Sequence, residues 1–262
     1  MIIDSHCHID FDEFDTDRHQ VLERARQARV EKIIVPGVSR QYWPRIRSCC
    51  HQYTQLYPCY GLHPYFIEQH QADDIPALKN WLMDNPCLAI GECGLDYFIK
   101  SLDRKSQLFY FEAQLDMALE FDLPVVIHAR KSTEDVIGQI RKRKGLKGMI
   151  HSYSGSHEQA LQLIELGFYL SFGGPVTYPK ASRLRKRVAQ LPLQNLLLET
   201  DAPDQPVARI NKNNERPRNE PAFITDVADT IAQLHHCSTE QLAHITSQNA
   251  EHLFQFKKNF PA

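Results

Sequence analysis

Eight short apolar runs, each followed by room for a loop and a helix, constrain this chain more than any other feature. They are Ile2-Ile3, Lys32 to Val35, Tyr57 to Tyr60, Cys87 to Ile90, Val125 to Ile127, Gly148 to Ile150, Phe168 to Ser171 and Leu196 to Leu198. Their starts lie roughly 20 to 40 residues apart, the repeat from which eight parallel βα units close a (β/α)8 barrel. Amphipathic stretches such as Arg18 to Arg29 and Ser106 to Phe121 fill the intervals, and Pro124 and Pro192 stand where a helix must stop before a strand. An open doubly wound sheet would need a glycine-rich phosphate loop after the first run, where this sequence has His6-Cys7-His8. The expected architecture is therefore a single α/β domain over residues 1–262, a TIM barrel. One irregular stretch, Pro203 to Pro221, precedes two further expected helices, Ala222 to Leu234 and Thr239 to Phe254.

Composition narrows the partners. A formal net charge of −2 excludes a chain that is basic throughout, so any hold on nucleic acid must come from cations clustered at a site. Seven cysteines without a CxxC pair read as reduced core thiols. The N-terminal residues lack a basic start followed by an apolar stretch, and no apolar run approaches the roughly 20 residues of a membrane span. A cytoplasmic protein without membrane attachment or an obligate protein partner is expected.

The chemistry sits at the ends of the runs. His6 and His8 are two apart, so strand geometry turns both rings to one face. With 13 His in 262 residues such a pair arises about 0.65 times by chance, and alone it decides nothing. Four other runs, however, end in Glu92, His128, His151 and Asp201. In a parallel barrel all these ends open on one face, where active sites are built. If helix capping were the cause, Ser, Thr and Asn should appear as often as His, and they do not. Four imidazoles and two carboxylates exceed what one four-coordinate ion with an open position needs, which points to two divalent ions bridged by a carboxylate.

Eight segments carry a resemblance. They are Asp4-Ser5-His6-Cys7-His8, Gly61-Leu62-His63-Pro64, Gly91-Glu92-Cys93-Gly94-Leu95-Asp96, Pro124-Val125-Val126-Ile127-His128, His151-Ser152-Tyr153-Ser154-Gly155, Gly173-Gly174-Pro175-Val176-Thr177-Tyr178-Pro179, Leu198-Glu199-Thr200-Asp201-Ala202-Pro203-Asp204 and Arg218-Asn219-Glu220-Pro221. In that order they resemble the TatD-family metal-dependent hydrolases among the amidohydrolase-like barrels, and most of all the YjjV branch. The resemblance implies one ion on His6, His8, Glu92 and Asp201 and a second on Glu92, His128 and His151, with Glu92 as the bridge. Larger amidohydrolases carry a modified Lys where this chain has Glu92. It also implies DNA as substrate, cleaved from single-stranded or 3′ ends by a 3′-5′ exonuclease.

Two such ions can acidify a water, hold a phosphoryl or acyl oxygen and neutralise the leaving group. Asp201 can both ligate and accept the water's proton. His63 ends the third run at the same rim, outside primary ligand range in the pattern but placed to meet a substrate oxygen. Arg209, Lys212, Arg216 and Arg218 crowd the loop after the eighth run, with Arg216 and Arg218 the expected phosphate contacts. Zn, Mn or Mg are the candidate metals. The competing activity is hydrolysis of carboxylic esters or amides, including deacylation of D-aminoacyl-tRNA, because the same activated water attacks carbonyls.

Overall fold

The computed structural model describes residues 1–211 and 217–256. Eight strands form one parallel sheet in sequence order: β1 (Ile2–Asp4), β2 (Val30–Val35), β3 (Leu56–Tyr60), β4 (Ala89–Asp96), β5 (Val125–Arg130), β6 (Gly148–Ile150), β7 (Phe168–Phe172) and β8 (Leu196–Leu198). The seam between β8 and β1 is bridged by the Ser5 N–H donating to the Leu198 carbonyl at 2.9 Å, so the sheet rolls into a (β/α)8 barrel. Outside it lie α1 (Arg18–Gln27), α2 (Trp43–Gln52), α3 (Asp74–Asp84), α4 (Arg104–Glu120), α5 (Thr133–Arg141), α6 (His157–Glu165), α7 (Ser182–Val188), α8 (Ile224–Leu234) and α9 (Thr239–Phe254). Among the described residues no helix is long and apolar enough to cross a membrane.

The apolar mass divides in two. A large core lies between the sheet and the helices. A smaller one takes a single fully or nearly buried residue from most strands: Ile3, Ile34, Cys59, Ala89, Val126, Met149 and Leu197, with Tyr169 of β7 packed against them. One contribution per strand marks this as the barrel interior, filled by side chains as in other eight-stranded barrels. Ala250 and Leu253–Phe254 of α9, with Phe256, complete it, so the last helix forms its floor.

Period two then sets what stands above that floor. Two residues beyond Val126 is His128, beyond Met149 is His151, beyond Leu197 is Glu199 and beyond Ala89 is Gly91. The polar site is thus the next pleat step toward the carboxyl ends of the strands.

β4 and β5 depart from the sequence expectation. β4 starts later than Cys87 and runs on past Ile90 to Asp96, and β5 continues past Ile127 to Arg130. The glycines that read as a strand end instead admit close strand contact. A Cβ on Gly94 would lie 2.0 Å from the His128 carbonyl oxygen, and one on Gly91 would lie 2.7 Å from that of Val126. The β4–β5 register slips between Ile90 and Cys93, an irregularity that re-aims Glu92.

Candidate metal centre

Glu92 is the centre of the site. It is 2% exposed, and its two oxygens face two groups of imidazoles. Oε2 lies 3.0 Å from His6 Nε2 and 3.6 Å from His8 Nε2. Oε1 lies 2.9 Å from His63 Nε2, 3.2 Å from His128 Nδ1 and 2.9 Å from His151 Nε2. Asp201 Oδ1 approaches the first group, 3.4 Å from His6 and 3.7 Å from His8. All six residues read from the sequence as ligands therefore meet in one cluster.

The donors fit divalent cations. His6 Nε2 and His8 Nε2 are 3.2 Å apart, as close as a hydrogen bond although both are aimed at the same carboxylate. His128 Nδ1 and His151 Nε2 repeat the arrangement at 3.1 Å. Glu92 Oε1 is buried and accepts no hydrogen bond of proper geometry although three ring nitrogens surround it. So many nitrogen and oxygen lone pairs converging out of water are a mixed imidazole and carboxylate donor set, the kind that holds Zn, Mn or Fe.

Burial opposes charge on Glu92, yet the imidazoles around it, His151 first, hold it well below the usual carboxylate range. Burial pushes His6 down and takes His8 to about 4, whereas at His128 it is outweighed by Asp96 and Glu92, which raise that ring, and at His151 by the Glu92 charge, which takes it to about 10. Burial pushes Asp201 up to about 7, with the Glu92 charge adding to it against His151.

His63 is nearer the centre than the sequence pattern places it, and with Glu92 and His128 it forms a group spaced to hold an ion. Its Nδ1 accepts the Tyr65 N–H at 3.0 Å, so in the neutral ring the proton sits on Nε2, 2.9 Å from Glu92 Oε1. His128 is the reverse. Its Nε2 meets Asp96 Oδ2 at 3.1 Å, which leaves the Nδ1 lone pair for the cluster.

Three supporting residues had no role assigned from sequence. Asp96 orients His128. Glu199 lies under His151, its Oε1 3.9 Å from Nδ1, and accepts the Ser152 N–H at 2.7 Å and the Ser171 hydroxyl. Asp4 accepts the N–H groups of His6 and Thr200 and the Thr200 hydroxyl, tying the His6 segment to the Asp201 segment. For Glu199 the signal was present in the strand period two beyond Leu197.

The described cations of the loop after β8 are ion-paired. Arg218 is paired through both terminal nitrogens with Asp17 at 2.8 and 2.7 Å, reaches Glu220 at 3.0 Å and lies over the Phe14 ring. Its charge is answered by carboxylates within the chain. Arg209 is likewise held in a two-point pair with Asp226. Lys212 and Arg216 lie outside the described residues.

The family model for TatD-related DNases matches residues 3–255. The metal-dependent hydrolase YjjV of Escherichia coli K12 is 38% identical over 256 residues, 96% of this chain and 97% of that protein. The metal-dependent hydrolase YabD of Bacillus subtilis 168 is 36% identical over 258 residues, 97% of this chain and 99% of that protein. The crystal structure of Escherichia coli YjjV, a TatD homologue, superposes with a TM-score of 0.91 at 34% identity, covering 97% of this chain and 98% of that one.

Proposed function

This chain belongs to the TatD-related family of metal-dependent hydrolases, in close relation to its YjjV branch, and on that premise we propose that it is a two-metal deoxyribonuclease acting from 3′ ends. The observation that carries the two-metal reading is Glu92, whose separate oxygens address His6 and His8 on one side and His128 and His151 on the other. The family description supports DNA as the substrate. Divalent ions bound in this donor set would supply Lewis acidity toward a water and a phosphoryl oxygen.

The chain's own residues divide the remaining work. Asp201 stands against the His6–His8 group with Oδ2 held by the Gln205 amide, so its Oδ1 is oriented to take a proton from an attacking water. His63, with Nε2 as donor, can hold a phosphate oxygen or protonate the leaving oxygen. Asp96 keeps the His128 ring aligned.

The test is turnover by metal-loaded protein on single-stranded DNA blocked at either end, on RNA and on D-aminoacyl-tRNA, each with and without chelator. Chelator-sensitive shortening that a 3′ block abolishes is expected. Asp201→Asn should lower that rate by about 10²- to 10⁴-fold while strand binding survives. Deacylation without DNA cleavage would replace the phosphodiester reading with the acyl one.

A further inference from the structure

Two large apolar side chains stand exposed at the carboxyl-end rim of the barrel, Tyr65 at 58% and Phe98 at 54%. Each follows a residue of the cluster by two positions, and each is fastened to it through its backbone. The Tyr65 N–H donates to His63 Nδ1 at 3.0 Å, and the Phe98 N–H donates to Asp96 Oδ1 at 2.9 Å while Asp96 Oδ2 holds His128. The backbone that carries each ring is therefore fixed relative to the candidate ligands, although neither ring is needed for the core. Further rings continue the series. Phe11 stacks on His8 with centroids 4.6 Å apart, Tyr42 lies 6.0 Å from Phe11, and Phe66 lies 6.4 Å from Tyr42 and 5.2 Å from Tyr65. They come from the segments after β1, β2 and β3, so the arc starts at a candidate ligand and runs outward along the rim.

A cation accompanies Phe98. Arg130, two residues past His128 and paired with Asp96 in the β4–β5 register, is exposed and lays its guanidinium 3.8 Å from the Phe98 ring centre. Among the described residues it has no acidic partner, in contrast to Arg209 and Arg218. An exposed ring beside an uncommitted guanidinium, both anchored to ligand-bearing strands, matches what a single strand presents: a flat base and a phosphate.

We propose that Tyr65 and Phe98 are stacking platforms for the bases of a single-stranded nucleic acid, and that Arg130 takes one of its phosphates. The strand lies over the rim from β1 to β5, away from the ion-paired Arg209 and Arg218. This rests on the DNA reading of the same site and adds to it the contacts that hold the polymer. Stacking accepts any base, so the platforms favour unpaired strands without choosing a sequence.

The test uses the metal-loaded full-length protein and two 5′-labelled probes, a thymidine oligonucleotide and an abasic strand of the same length. Phe98→Ala and Tyr65→Ala should each raise KM on the thymidine strand by about fivefold or more, with kcat changed by less than about twofold. Phe98→Trp should restore KM. On the abasic strand, which offers nothing to stack, the alanine substitutions should shift KM far less. Arg130→Ala should weaken binding to both probes and flatten the log–log salt dependence by about 0.7. Wild-type KM for both alanine variants on the thymidine strand overturns the platforms while leaving the nuclease reading intact. Equal losses on the two probes also overturn them, because the effect would not depend on bases. A wild-type protein that cleaves neither probe overturns the nuclease reading and the platforms with it.

Discussion

Glu92 concentrates the site's chemistry in one side chain, because each of its oxygens serves a different set of imidazoles. Glu92→Gln keeps the shape and removes the charge, so it should weaken both metal positions together. Elemental analysis of protein purified without chelator should find up to two divalent ions per chain in the wild type and a loss at both positions in the variant. Retention of one ion at full affinity would show that the carboxylate does not bridge. The residues singled out from sequence that the structure brings together, His6, His8, His128 and His151, are those where one residue type recurred at strand ends. The reading from sequence could not see Asp96, whose value lies in the His128 ring it holds, since a carboxylate that orients a ring has no spacing rule of its own. It also counted Arg218 by its charge, and charge alone does not reveal that Asp17 and Glu220 have already claimed it.

At the level of elements, β4 and β5 fix the distance between Glu92 and His128, and they do so by bringing two backbones together where side chains are absent. Gly94→Ala places a methyl group 2.0 Å from the His128 carbonyl oxygen, a contact that only strand separation relieves. A loss of about 1–3 kcal/mol in urea unfolding is expected, together with reduced metal content. Gly138→Ala is the natural comparison, because a Cβ there meets nothing within 4 Å in α5 and should stabilise by about 0.5–1 kcal/mol. Equal stability for the two variants would mean that the strands are not tightly apposed. The strand order and the helix positions were legible in the alternation of apolar runs, and α9 begins and ends where the sequence places it. The extension of β4 to Asp96 was not, since glycines that signal a turn in isolation can also mark a close approach of strands.

Across the whole molecule, the loop after β8 is tied back to the start of α1 by Arg218 on Asp17 and Glu220, with Arg24 adding a second hold on Glu220 at 2.8 Å. The Arg218 partner holds Asp17 below the usual carboxylate range. A depressed folded-state pKa stabilises above the unfolded value near 4, and that contribution is lost as the pH falls through the folded value. Arg218→Ala should therefore cost about 1 kcal/mol at pH 7, and the gap to wild type should close as the pH falls below the unfolded value near 4 in a pH series of thermal melts. A gap that stayed constant below that value would assign the loss to packing against Phe14 instead. The apolar floor under the metal centre has a further result for traffic. Because side chains from the strands and from α9 seal the barrel beneath the ligands, the site can be reached only from the carboxyl-end face. A polymer cannot be threaded through it, and reactant and product must use the same opening in turn. Such a site receives a free end far more readily than the middle of a stiff duplex. Under the proposed nuclease reading, each excised piece would have to back out before the strand could advance, so the departure of one nucleotide and the arrival of the next could not overlap.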